Sequence, residues 1–215
     1  MLKLVVFSSP VSIENEVQEV IRMFDAGLES FHIRKPHMSK KEMVIFIKQF
    51  PKRYRKRIVL HGYHALADQY QLGGIHLSRQ HRKRNKFYHF KIWLKKKMYP
   101  KMMLTRTFHK LTDITSDKRQ YTYAFLSPVF DSVSQSTLSG GFSKRALLIM
   151  IPQAKQPIYA LGGITTERIK DIAALGFHGA ALHGFLWEES DELPSQKFKK
   201  ALAEASAVRD FHSEM

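Results

Sequence analysis

A single-domain (β/α)8 barrel over residues 1–215 is the fold class this sequence predicts, and three observations carry it. Short apolar runs alternate with longer amphipathic stretches, the pattern of βαβ units on a parallel sheet. Eight such strand-like runs can be read, mostly followed by helices; one miscount would leave a doubly wound open sheet instead. The length, 215 residues, fits the ~200-residue lower end of the barrel range, and neither a linker nor a short-period repeat divides the chain.

The elements follow in order. Lys3–Phe7 is a β-branched strand, and residues 12–26 carry helical spacing through Ile13, Val17, Val20, Ile21 and Phe24. Gly27 is placed to end that helix as a left-handed cap. Residues 30–34 are strand-like, and Ser39 is placed to cap a helix whose apolar positions are Met43, Ile45, Phe46, Ile47 and Phe50. Further strands are expected at 57–61, Gly74–Leu77, 102–105, 123–127, 157–161 and 178–182. Helices are expected at 63–72, 143–153 and 195–208, and from a Thr165-Thr166 cap to Gly176. Residues 78–100 should hold the fourth helix but show little periodicity.

Composition bounds the function. Hydrophobic residues at 44% and charged residues at 25% exclude a disordered, collagen-like or mostly membrane-embedded chain. Cysteine is absent, which excludes a thiolate metal site and a cysteine nucleophile. The N-terminal apolar run is too short for a signal peptide, so a soluble cytoplasmic protein is expected. A net charge of +16 calls for anionic partners: a phosphorylated small molecule, nucleic acid or an acidic surface. Lysine and arginine concentrate at 48–57, read as a solvated face, and at 79–101, which has no acidic residue. The aromatics Phe87, Tyr88, Phe90 and Trp93 in the second stretch are expected to anchor its helix to the barrel. Small phosphorylated substrates are therefore preferred over nucleic acid, and no membrane partner is expected.

In such a barrel the active site forms where the strands end. Those ends carry His32-Ile-Arg34-Lys35, His61-Gly62, Ser78-Arg79-Gln80-His81, Thr105-Arg106-Thr107-Phe108-His109, Ser127-Pro-Val-Phe130, Gly162-Gly163 and His183-Gly184. Asp131 is the main carboxylate among them, so paired-acid chemistry and an oxygen-ligand Mg2+ site find no support. Arginine, histidine and hydroxyl groups suit a phosphate ester instead. Gly162-Gly163 ahead of a helix would let backbone N–H groups approach that phosphate. No pair of histidines has metal-ligand spacing in the sequence, and no metal site is predicted. His32 and His76, in mid-strand, read as structural; His61 and His109 read as ligand contacts and candidate catalytic groups.

The order of six segments resembles the thiamine phosphate synthase family, with its thiazole tautomerase branch. They are Phe31-His-Ile-Arg34, Val59-Leu-His-Gly62 with Ala65-Leu-Ala67, Gly74-Ile-His-Leu77, Ser127-Pro-Val-Phe130, Gly140-Gly-Phe-Ser143 and Ala160-Leu-Gly-Gly-Ile164. The resemblance implies the barrel fold. It also implies a transferase that joins an aminopyrimidine diphosphate to a thiazole phosphate and releases pyrophosphate. Arg34 matches the diphosphate-binding arginine, Ser132 and Ser134 match substrate-holding hydroxyls, and Gly163 with the His183 region matches the thiazole phosphate site. Lys35 and Arg79 are added as neighbouring cations, and Gly162 and Gly184 as phosphate-facing backbone.

The departures cluster at the metal. The resemblance implies Mg2+, yet Gly62 and His81 stand where the family has its two aspartates. Pro36 and Gln135 replace two lysines. The His-Ile-Arg triplet looks like the tautomerase branch, whereas Pro128 replaces that branch's proton-transfer histidine. Three readings follow: a synthase whose cations replace Mg2+, a tautomerase using His61 or His109 as base, and a non-catalytic binder of phosphates or of an acidic macromolecule through residues 79–101.

Overall fold

The computed structural model describes residues 2–130 and 142–208. Eight parallel strands close into a barrel in sequence order: β1 (Lys3–Phe7), β2 (Ser30–Ile33), β3 (Ile58–Leu60), β4 (Gly74–Leu77), β5 (Met103–Phe108), β6 (Tyr123–Leu126), β7 (Ile158–Leu161) and β8 (Gly179–Leu182). β8 returns to β1 with Leu4 opposite Ala180 and Val6 opposite Leu182, which removes the open-sheet alternative.

Alternation along each strand divides the side chains between two layers. One set (Leu4, Val6, Phe31, Ile33, Ile58, Leu60, Ile158, Ala160) packs outward on the helices, against Val20, Phe24, Ile47, Ile172 and Phe198. Each fully buried side chain of this kind contributes about 1.5–3 kcal/mol. The other set faces the barrel interior. Val5, Phe7, Tyr123, Phe125, Tyr159 and Ala181 form its apolar part. Ser30, His32, His76 and Thr105 are buried among them and give the interior an uncommon polar content.

Local signals place several element ends as the sequence implied. Ser39 opens the helix Lys40–Lys48 through a capping box with Glu42. Gly27, at φ 113, turns the chain after the helix Glu16–Asp25 in a conformation that a side chain would strain. Two expectations need correction. The helix after β7 begins at Ile169 with Arg168 in the cap position, so Thr165 and Thr166 do not cap it. The stretch 79–101 forms two helices, Arg79–Arg82 and Lys86–Met98. In the second, Ile92 is buried and Tyr88 packs on the core, but Phe87, Phe90 and Trp93 face solvent. Those three do not anchor the helix, because they lie off the face that carries Tyr88, His89, Ile92, Lys95 and Lys96. Among the described residues, no helix is long and apolar enough to cross a membrane.

Candidate active site

A cavity of about 290 Å3 opens at the C-terminal ends of the strands. Arg34, Arg79 and Arg82 supply its cations, and His61, His76, His109 and His183 its imidazoles. Thr107, Ser78 and Ser127 add hydroxyls, and Phe7, Leu77 and Leu161 the apolar wall. Among the described residues that line it, none is a carboxylate.

Each group arrives there by strand geometry. His32 and Arg34 are two residues apart, so both take the inward phase of β2 and its extension. Arg34 is exposed at the rim, with its backbone N–H donating to Ser8 Oγ at 2.8 Å. Ser78 caps the short helix Arg79–Arg82 and swings Arg79 and Arg82 over the mouth. His81 is taken up by the same cap: its Nδ1 accepts from the Ser78 N–H at 3.3 Å, and its ring stacks on His64. His109 Nδ1 donates to the Ser127 carbonyl at 2.8 Å, which leaves Nε2 with its lone pair.

Gly162 lines the cavity at φ 98, and a Cβ there would lie 2.9 Å from Pro128. Gly163 follows at φ 63, its carbonyl accepting from the Arg168 guanidinium at 2.5 Å. Gly184 begins the four-residue helix Gly184–Trp187 just behind His183. Arg34 and Gly162 thus face one shared cavity. Two polar atoms in its lining residues, Arg82 Nε and His183 Nε2, are buried without a hydrogen-bond partner among the described residues.

Lys35 is the exception and a correction. Its side chain points into the helical layer, where Nζ pairs with Glu16 Oε2 and donates to the Val11 carbonyl at 2.6 Å. Strand alternation sends it to the opposite face from Arg34, so it does not join the site. Arg106 likewise leaves the mouth, to pair with Asp117. Asp131, Ser132 and Ser134 lie outside the described residues.

The floor of the cavity holds what sequence spacing did not reveal. His32, His61 and His76 come from β2, the end of β3 and β4, and one ring nitrogen of each lies within 4.8 Å of the others. His32 Nδ1 is 3.0 Å from His61 Nε2, and His32 Nε2 is 2.6 Å from the Tyr123 hydroxyl, which also reaches Ser30 Oγ at 3.0 Å. His76 stacks on His61 with ring centroids 4.0 Å apart, and its Nδ1 is 2.9 Å from Thr105 Oγ1. Burial pushes the His32 pKa down to about 3. Burial, followed by the neighbouring imidazoles and Arg34, holds His61 and His76 well below the ordinary histidine value. All three are neutral at physiological pH. The signal that would have found them is alternation: all occupy inward positions on adjacent strands.

The Mg2+ implied by resemblance does not fit these residues. His81 is consumed by its cap, Gly62 offers no side chain, and the cavity walls provide no carboxylate among the described residues.

The family model for thiamine monophosphate synthase matches residues 2–185. The chain belongs to the thiamine monophosphate synthase family. Among curated relatives of this family, a thiamine-phosphate synthase of Flavobacterium johnsoniae is 24% identical over 199 residues, covering 88% of this chain and 90% of the relative. Thiamine-phosphate synthase 1 of Streptococcus pneumoniae is 25% identical over 149 residues, 67% of this chain and 66% of the relative. The crystal structure of thiamine phosphate pyrophosphorylase from Bacteroides thetaiotaomicron superposes with a TM-score of 0.75 at 24% identity, covering 96% of this chain and 98% of that one. These likenesses establish the family and the barrel.

Proposed function

We propose that this barrel binds an aminopyrimidine diphosphate and a thiazole phosphate and joins them into thiamine phosphate. The observation that carries this reading is the cavity in which Arg34, Arg79 and Arg82 meet, with no carboxylate among the described residues of its lining. Three guanidiniums supply the positive charge that Mg2+ would otherwise bring to a diphosphate.

The chemistry follows from charge. The bond between the pyrimidine methylene and the diphosphate oxygen breaks, and its electron pair leaves with pyrophosphate. The thiazole nitrogen then donates its lone pair to the methylene cation and forms the new C–N bond. Arginines at the rim stabilise the departing anion. Phe7 and Leu161 give the rings an apolar wall.

Coupled turnover of both substrates, followed by thiamine phosphate formation in metal-free and Mg2+-containing buffer, tests this. Turnover without Mg2+ is the expected result; no product in either buffer defeats it. A second reading, isomerisation of thiazole carboxylate phosphate, is favoured by one observation. His109 keeps an Nε2 lone pair at the cavity, where a base could stand. Isomerisation with the thiazole substrate alone, lost in His109→Ala, would select it.

A further inference from the structure

We propose that His32, His61 and His76 bind one late first-row transition ion, with Zn2+ as the reference case, at the floor of the cavity, leaving a fourth position open to a phosphate oxygen. The three-nitrogen site stands on the histidines alone; the phosphate in the fourth position rests on the function proposed above.

Three features build the site. The ligands sit on adjacent strands of a closed barrel, so their backbones are fixed relative to one another. His32 and His76 each hold a second nitrogen against a hydroxyl, Tyr123 at 2.6 Å and Thr105 at 2.9 Å. Such outer partners orient ligating imidazoles, and they leave His32 Nδ1 and His76 Nε2 for the ion. His61 Nε2, 3.0 Å from His32 Nδ1, completes the set.

The geometry is close to what a tetrahedral ion requires. Zn–N bonds of about 2.0–2.1 Å set ligand nitrogens roughly 3.3 Å apart. The nitrogens all lie within 4.8 Å of one another, so the widest gap must shorten by at most about 1.5 Å. Closing it calls for turns of the His32 and His76 rings, whose centroids are 6.2 Å apart, while the half-buried His61 can turn out of its stack on His76. His76 Nε2 gives up only a long 3.4 Å contact with Thr107.

The donor set also chooses the ion. Three neutral imidazoles without a carboxylate suit Zn2+, Co2+, Ni2+ or Cu2+ and disfavour Mg2+ and Ca2+. Three protein ligands with one open position is the arrangement of catalytic zinc sites. Arg34 nearby disfavours a bare dication, so ion and phosphate each strengthen binding of the other.

Titration of the metal-stripped full-length protein with Co2+ tests the site, read by the visible absorption of tetrahedral cobalt, with Zn2+ affinity measured by competition. One equivalent is expected. Both His61→Asn and His76→Gln should lose at least about 100-fold in affinity, while His37→Asn at the exposed surface keeps wild-type affinity. Using two ligand variants, each checked by thermal melting, keeps the test decisive if one fails to fold. Adding inorganic phosphate should raise cobalt affinity several-fold and shift the spectrum. No tetrahedral spectrum, or affinity unchanged in both variants, overturns the site. Cobalt uptake indifferent to phosphate overturns the open fourth position. Pyrophosphate binding to the metal-stripped wild type is measured separately, so failure of the ion site is distinguishable from failure of the proposed function.

Discussion

Lys35 and Glu16 form an ion pair with both side chains almost wholly out of water, 1% and 2% exposed. Glu16 also accepts from the Ser9 backbone N–H at 3.0 Å, so the pair ties the loop after β1 to the rim of β2. Lys35→Met would leave a buried carboxylate without its cation. It should destabilise the fold by about 3–5 kcal/mol, visible in urea denaturation, and the double change with Glu16→Gln should recover part of it. Pyrophosphate affinity of the folded variant should match the wild type. A variant of normal stability with lost affinity would return Lys35 to the site.

The neutral histidines make stability depend on acid. His32 and His64 are each pushed by burial to about 3, and His61 and His76 are held well below the ordinary value. The unfolded chain takes up these protons near pH 6.5 and the folded chain does not. Their contribution is therefore complete above about pH 6.5 and is lost as pH falls toward about 3, by up to ~1.4 kcal/mol per pH unit for each histidine. Burial pushes the Glu16 carboxyl up, which acts in the opposite sense and reduces the slope. Urea midpoints should fall steadily from pH 7 to pH 5; a flat profile would contradict the buried neutral cluster.

Arg34 stands exposed at the rim, so its attraction for a diphosphate is shared with solvent. Arg34→Ala should weaken pyrophosphate binding by about 1–2 kcal/mol, or roughly tenfold. Calorimetric titration at low and high salt checks this, and an unchanged affinity removes Arg34 from the site.

Gly162 should tolerate no side chain. Gly162→Ala meets Pro128 at 2.9 Å in a left-handed conformation, and the strain should cost about 1–3 kcal/mol. Thermal melting gives the stability, and pyrophosphate titration of the folded fraction should show weaker binding because the cavity wall shifts. A variant normal in both measurements would show the wall to be more compliant than its contacts imply.

The barrel was legible because periodicity records burial. The outward faces of β1, β2 and β7 must be apolar to meet helices, and Gly27 and Ser39 mark ends whose backbone needs those residues. The rim arginine, the glycine after β7 and His109 were legible because a strand's C-terminal end fixes a residue's place in such a fold. Lys35 was misread because one step along a strand reverses the face. Arg82 was missed because the turn that carries it depends on the Ser78 cap. The histidine floor was missed because its members lie 29 and 15 residues apart, and only the pairing of β2, β3 and β4 brings them together.

The chain's two tryptophans occupy opposite environments. Trp93 lies on the outer helix in water, whereas Trp187 is partly buried and donates its indole N–H to the carbonyl of Phe7, whose ring forms part of the cavity wall. Removing the first by Trp93→Phe would leave a single emitting indole one residue behind the binding chamber. Its fluorescence would then follow occupancy directly, giving an optical readout of any ligand without a label.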